Sequence, residues 1–126
     1  MILGTGIDII DVQRIEAAWK KFGDRFLQRV LRPSEIAYCL SHKSPGPFFA
    51  ARFAGKEAIS KSFGTGIGRH LGWQDMEICR KDSGEPYVVL HGKGETLLRE
   101  RGGRIVHLSL SHTATHATAT AILEGV

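Results

Sequence analysis

The sequence predicts an α+β domain: a small antiparallel sheet packed with helices. Three observations predict it. Runs with strand character lie at both ends of the chain, near residues 2–10 and 104–124. Segments with helical spacing fill much of the interval between them. Strands and helices do not alternate strictly, which argues against a parallel βαβ architecture. The 126 residues form one domain, 1–126, with no internal repeat or low-complexity linker, as expected at this length.

Residues 2–10 (ILGTGIDII) read as a β-branched strand holding two glycines. Asp11 is placed to cap a helix over about 12–22, with Val12, Ile15, Trp19 and Phe22 on one face. Gly23 stops that helix, and Asp24 starts a short one ending near Leu31. Pro33 and Ser34 open a third, through about Leu40. Pro47 is suited to the first turn of a fourth helix, which runs to about Phe63 and buries Phe49 and Phe53. The run Gly64–Gly68 ends it. Strands follow near 73–80 and 86–91, joined by the turn Lys81-Asp82-Ser83-Gly84. Residues 93–101 read as helical, with Gly102 as the stop. A hairpin closes the chain. In 104–112, Val106, Leu108 and Leu110 alternate with His107, Ser109 and Ser111; 117–124 is a strand of small residues.

Composition excludes several classes. Hydrophobic residues are 42% and charged residues 24%, as in a folded globular chain. No apolar run approaches the ~18 residues of a membrane span. The N-terminus lacks the basic start of a secretory leader and meets Asp8 early. Two cysteines, Cys39 and Cys79, make neither a disulfide framework nor a metal quartet. A cytoplasmic protein with free thiols is expected. The net charge is +4, and residues 13–32 alone carry that excess, with six basic residues against two acidic ones. A basic face so concentrated points to an acidic partner.

Four features carry chemistry. Asp8 lies among Ile7, Ile9 and Ile10, where an ionised carboxylate requires a cation, a donor or water. Glu57 and Lys61 are four apart on a helix and so share a face. As a surface pair they would be worth only ~0.3–0.5 kcal/mol, but their helix leads straight into a glycine run. Two carboxylates from separate elements suit a hard cation such as magnesium, which takes few carboxylates and keeps water and phosphate oxygens. Gly64-Thr65-Gly66-Ile67-Gly68 would let backbone approach an anion and offer its amides. It lacks the closing Gly-Lys-Ser/Thr of a Walker loop. In His107-Leu108-Ser109-Leu110-Ser111-His112, His107, Ser109 and Ser111 share a face, and His112 falls with the apolar set. No nucleophile elbow accompanies these serines.

Taken together these segments resemble a known family. Gly6-Ile7-Asp8-Ile9 with Arg14-Ile15 is similar to the N-terminal motif of the holo-(acyl-carrier-protein) synthases, the small 4'-phosphopantetheinyl transferases. Arg52-Phe53-Ala54-Gly55-Lys56-Glu57-Ala58 through Lys61, then Phe63 to Gly68, resembles their second motif. Gly84-Glu85-Pro86-Tyr87 and Val106 to His112 resemble later segments. Gly55 departs from the alanine usual there and is expected to loosen the helix. Residues 38–48 match only loosely.

The resemblance implies transfer of the phosphopantetheine arm of coenzyme A to a serine of apo acyl carrier protein, releasing adenosine 3',5'-bisphosphate. It implies that Asp8 and Glu57 hold magnesium and that Lys61 touches the phosphates. It implies coenzyme A contacts at Arg52, Lys61, Gly64, Gly66, Pro86, His107 and Ser109. It implies carrier contacts at Arg14, Arg25, Phe26 and Arg29. The base for the carrier serine stays open among Glu57, Asp8 and a metal-bound water. A homotrimer is implied, with Pro86 and His107 reaching the site from the next subunit; the small residues of Ala117–Ala121 would let elements approach closely. Two other readings compete. A nucleic-acid module would want exposed aromatics among the basic residues, whereas Trp19 and Phe22 fall at core spacing. A nucleotide-binding regulatory domain would use the glycine run without turnover. Neither nucleic acid nor membrane is expected as a partner.

Overall fold

The chain begins with β1 (Ile2–Asp11) and α1 (Val12–Phe22), followed by α2 (Asp24–Val30) and α3 (Pro33–Leu40). The long α4 (Gly46–Ser62) leads through the glycine run to a 3-10 turn (Trp73–Asp75) and the hairpin β2 (Met76–Arg80) and β3 (Pro86–Leu90). α5 (Lys93–Glu100), β4 (Gly103–His112) and β5 (His116–Gly125) complete it. The computed structural model describes all of residues 1–126. The strands form two antiparallel sheets, one ordered β1-β5-β4 and one made of β2 and β3. This is the α+β class expected from the sequence. The element boundaries fall within one to three residues of those read from periodicity and turn signals.

The three-stranded sheet wraps α4, and the reason lies in two glycines. A Cβ at Gly4 would stand 2.0 Å from the Ser62 carbonyl oxygen, and one at Gly6 would stand 1.9 Å from that of Ala58. Backbone therefore rests on backbone. Side chains alternate along a strand, so Gly4, Gly6, Asp8 and Ile10 turn toward α4, while Ile7 and Ile9 turn away and are 64% and 69% exposed. The isoleucines beside Asp8 are thus not core residues. The alanines of β5 follow the same logic: Ala117, Ala119 and Ala121 are buried on the side facing the helix. Their small size serves the approach of α4.

Gly55 does not loosen α4, which continues through it. A Cβ there would lie 2.6 Å from Ile78 Cδ1 and 3.2 Å from Leu110 Cδ2. The missing methyl is the notch into which β2 and β4 pack. On the far side Trp19 sets its ring edge-on to Phe49, with centroids 5.0 Å apart, anchoring α1. Phe22, expected with the core, is 58% exposed, because α1 ends there and Gly23 turns the chain with a positive φ of 68°.

Candidate active site

The close packing of β1 on α4 brings three of the predicted residues together. Lys61 Nζ donates to the Ile7 carbonyl at 2.9 Å and to Asp8 Oδ1 at 3.2 Å. Glu57 lies one turn back on α4. Its carboxyl is raised above the ordinary glutamate value, first by burial and then by the neighbouring Asp8 charge, with Lys61 opposing. Two carboxylates repel each other here, and one ammonium serves them. That donor set fits a divalent cation held by few protein oxygens, which would relieve the repulsion directly. The main chain of Asp8 is held as well: Thr118 Oγ1 donates to its carbonyl at 2.9 Å. Beside this cluster a groove of about 560 Å³ is lined by Thr5, Gly6, Ile7, Lys61, Thr120, Ala121 and Ile122.

The glycine run closes α4. Gly64 and Gly66 adopt positive φ values of 80° and 64°, the region glycine tolerates. Their amides are already spent. Gly64 N–H donates to Lys61, Thr65 and Gly66 N–H donate to Ser60, and Gly68 N–H donates to Leu71. The bonds to Ser60 and Lys61 satisfy carbonyls in the last turn of the helix.

Arg52 lies earlier on the same helix. It is only 1% exposed, with its guanidinium 4.2 Å above the Tyr38 ring. Its Nε and Nη1 have no hydrogen-bond partner. Burial lowers its pKa. Arg52 is a desolvated cation inside the fold, away from the open groove.

His107 and Ser109 stand exposed on the outward face of β4, paired with Ile122 and Thr120 of β5. That face is opposite the one Asp8 uses, and β5 separates β4 from β1, so within one chain they do not join Asp8. His107 Nε2 lies 2.8 Å from Glu124 Oε1, which also receives Arg104 at 2.9 Å. Pro86 starts β3 in the other sheet, opposite Arg80. His112, placed with the apolar set by alternation, is exposed and meets Phe48 edge-on at 4.8 Å.

The basic segment forms a second surface. Arg25, Phe26 and Arg29 of α2 join Lys21 and Phe22 of α1 around a groove of about 550 Å³. Lys21 Nζ sits 5.2 Å from the centroid of the Phe22 ring. Arg14 is exposed on α1.

One residue escaped the sequence reading. Lys56, next to Glu57, is fully buried. Its ammonium donates to Glu35 Oε1 at 2.7 Å, the Val30 carbonyl at 2.8 Å and the Trp73 carbonyl at 3.1 Å. A signal existed: Lys56 falls three and seven residues after Phe53 and Phe49, on the face that packs inward. Its partner Glu35, 21 positions away, had none.

With this geometry in hand, comparison with known proteins is direct. Residues 4–121 match the ACPS model, described as the 4'-phosphopantetheinyl transferase superfamily. The chain is 50% identical over 124 residues to the holo-[acyl-carrier-protein] synthase of Koribacter versatilis (strain Ellin345), covering 98% of this chain and 99% of that relative. Among solved structures it is similar to the holo-[acyl-carrier-protein] synthase of Neisseria meningitidis, with a TM-score of 0.92, 34% identity, and 98% and 99% of the two chains covered. It is also similar to that of Bacillus anthracis in complex with CoA (3',5'-ADP), with a TM-score of 0.84, 38% identity, and 100% and 99% covered. The chain belongs to the holo-[acyl-carrier-protein] synthase family of this superfamily. No helix is long and apolar enough to cross a membrane.

Proposed function

We propose that this protein transfers the 4'-phosphopantetheine group from coenzyme A to a serine of apo acyl carrier protein. The observation that carries the reading is the Asp8–Lys61 contact at 3.2 Å, made where two carboxylates converge on the edge of a groove. In the reaction the serine oxygen bonds to the phosphorus bearing the pantetheine arm. The bond from that phosphorus to the bridging oxygen breaks, and adenosine 3',5'-bisphosphate leaves. Such a transfer is governed by positioning and charge.

Lys61 suits the diphosphate, since its Nζ sits at the groove with half of the side chain exposed. Asp8 and Glu57 are the residues that would hold magnesium. When bound, that ion neutralises the diphosphate and stabilises charge on the departing oxygen. Glu57 and Asp8 are the carboxylates placed to accept the serine proton. The basic, aromatic groove of Lys21, Phe22, Arg25, Phe26 and Arg29, with Arg14, suits an acidic carrier surface.

The active form in this reading is a homotrimer in the cytoplasm. Support comes from the outward face of the three-stranded sheet, where Ile7, Ile9 and Ile122 are exposed beside His107 and Ser109. An apolar sheet face with two free edges is a self-association surface. Association would bring Pro86, His107 and Ser109 of one chain to the Asp8 cluster of another. The test is incubation with coenzyme A, magnesium and apo acyl carrier protein, then weighing the carrier by mass spectrometry. A carrier heavier by one phosphopantetheine group supports the reading. An unmodified carrier, in a reaction where a known synthase modifies it, overturns it.

A further inference from the structure

The buried ion pair of Lys56 and Glu35 is the most heavily bonded side-chain contact in the molecule. Besides the three bonds of the Lys56 ammonium, Glu35 Oε1 accepts the Arg32 amide at 2.8 Å and Oε2 accepts the Ile78 amide at 2.9 Å. Both side chains are entirely shielded from solvent. The pair therefore ties α4 to the end of α2, the start of α3, the 3-10 turn and β2. A buried charge in an otherwise apolar core is expensive to keep, and here every bonding direction of the ammonium is used.

Placement on α4 gives this network a direction. Lys56 immediately precedes Glu57, so the two side chains leave the helix about 100° apart. On one side, α4 is pressed against β1 through Gly4 and Gly6. On another, it is pinned by Lys56. Contacts on two sides fix both the rotation of the helix and its position along its axis. A rotation of about 10° would carry a carboxylate ~6 Å from the axis by about 1 Å.

We propose that Lys56, locked by Glu35, is a positioning residue that sets the Glu57 carboxylate against Asp8. The role rests on the function proposed above and deepens it: the pair controls how well the two carboxylates hold a divalent cation. It touches neither substrate nor metal.

The test uses the full chain saturated with coenzyme A. Manganese binding is followed by titration calorimetry, and kcat is measured at saturating metal and substrates. In Glu35→Gln/Lys56→Met both charges are gone, so no unpaired ion is left in the core. The expected result is a manganese affinity lower by about 10-fold or more, as for loss of groups that orient metal ligands, and a kcat lower by ~10–100-fold. Leu97→Ala, a core truncation in α5 outside the site, is the control for lost stability and should leave both quantities unchanged. Glu35→Asp keeps both charges and shortens the reach, so it stays folded; a several-fold loss of manganese affinity is expected.

Wild-type manganese affinity in either folded Glu35 variant overturns the positioning role. So does an equal loss in Leu97→Ala, which would make the effect one of stability alone. A wild-type chain that binds manganese but transfers nothing defeats the proposed function, and with it the role in catalysis. A wild-type chain that is active while the variants match it defeats only the positioning role.

Discussion

Replacing Gly6 with alanine adds a single methyl group, and the structure fixes where it would go. The new Cβ would stand 1.9 Å from the Ala58 carbonyl oxygen and 2.9 Å from the Ser62 amide nitrogen. Both neighbours are helix backbone, so neither can rotate aside. Ordinary contact needs about 3.4–3.5 Å, and β1 must retreat from α4 by about 1.5 Å. Overpacking of this kind costs about 1–3 kcal/mol, and immovable partners favour the upper end. For a chain of this length that is a fall in Tm of about 10 °C. Asp8 is two residues further along the same strand face, so its 3.2 Å contact with Lys61 would open beyond hydrogen-bonding range. A displacement of about 1 Å at a reacting centre lowers rates by roughly 100-fold. Thermal denaturation by circular dichroism and carrier modification by mass spectrometry measure the two effects. Gly68→Ala is the control for stability, since nothing lies within 4 Å of its Cβ, and its Tm should stay within about 2 °C. If Gly6→Ala keeps wild-type Tm and turnover, the backbone contact does not set the site.

Four further outcomes are expected. Asp8→Ala or Glu57→Ala should abolish carrier modification with Tm retained, and chelation should silence the wild type; an Asp8→Ala chain with normal turnover at limiting magnesium refutes the metal assignment. Added salt should weaken carrier binding more than coenzyme A binding, and Arg14→Glu should raise the carrier KM; insensitivity to both, measured kinetically, rules out the basic dock. Mixing Asp8→Ala with His107→Ala chains should restore part of the activity, whereas no recovery after confirmed subunit exchange contradicts a shared site. The Ser34 hydroxyl and then His91 hold the Glu77 carboxyl below its ordinary value. A lowered carboxyl stabilises the fold fully above the ordinary range, and that contribution is lost as pH falls through the folded value. Glu77→Gln should therefore flatten the decline in Tm between about pH 5 and pH 3, and an unchanged slope excludes this linkage.

Much of the candidate site was legible because its signals are local. Glu57 and Lys61 share a helix face by spacing alone. The expectation that Asp8 joins them came from a family resemblance, since nothing near Asp8 specifies a partner 53 positions away. Their convergence depends on Gly4 and Gly6, whose effect appears only once the helix backbone lies on them. The bonds of the glycine run are local as well: Gly64, Thr65 and Gly66 N–H donate to the Lys61 and Ser60 carbonyls and close the helix that precedes them.

By itself the sequence determined the α+β class, the order of elements and the basic segment on α1 and α2, because periodicity, turn residues and charge are properties of neighbours in the chain. Which face of β1 turns inward was decided in three dimensions. The strand carries Ile7 and Ile9 on one side and Gly4 and Gly6, with Ile10, on the other, and bulk alone would set Ile7 and Ile9 in the core. Close packing reverses that choice, since only the glycine face admits a helix backbone. The same distinction separates Lys61 from Lys56. Four residues of spacing suffice to place one beside Glu57, but the buried role of the other requires Glu35, Val30 and Trp73, which the folded chain alone brings to it.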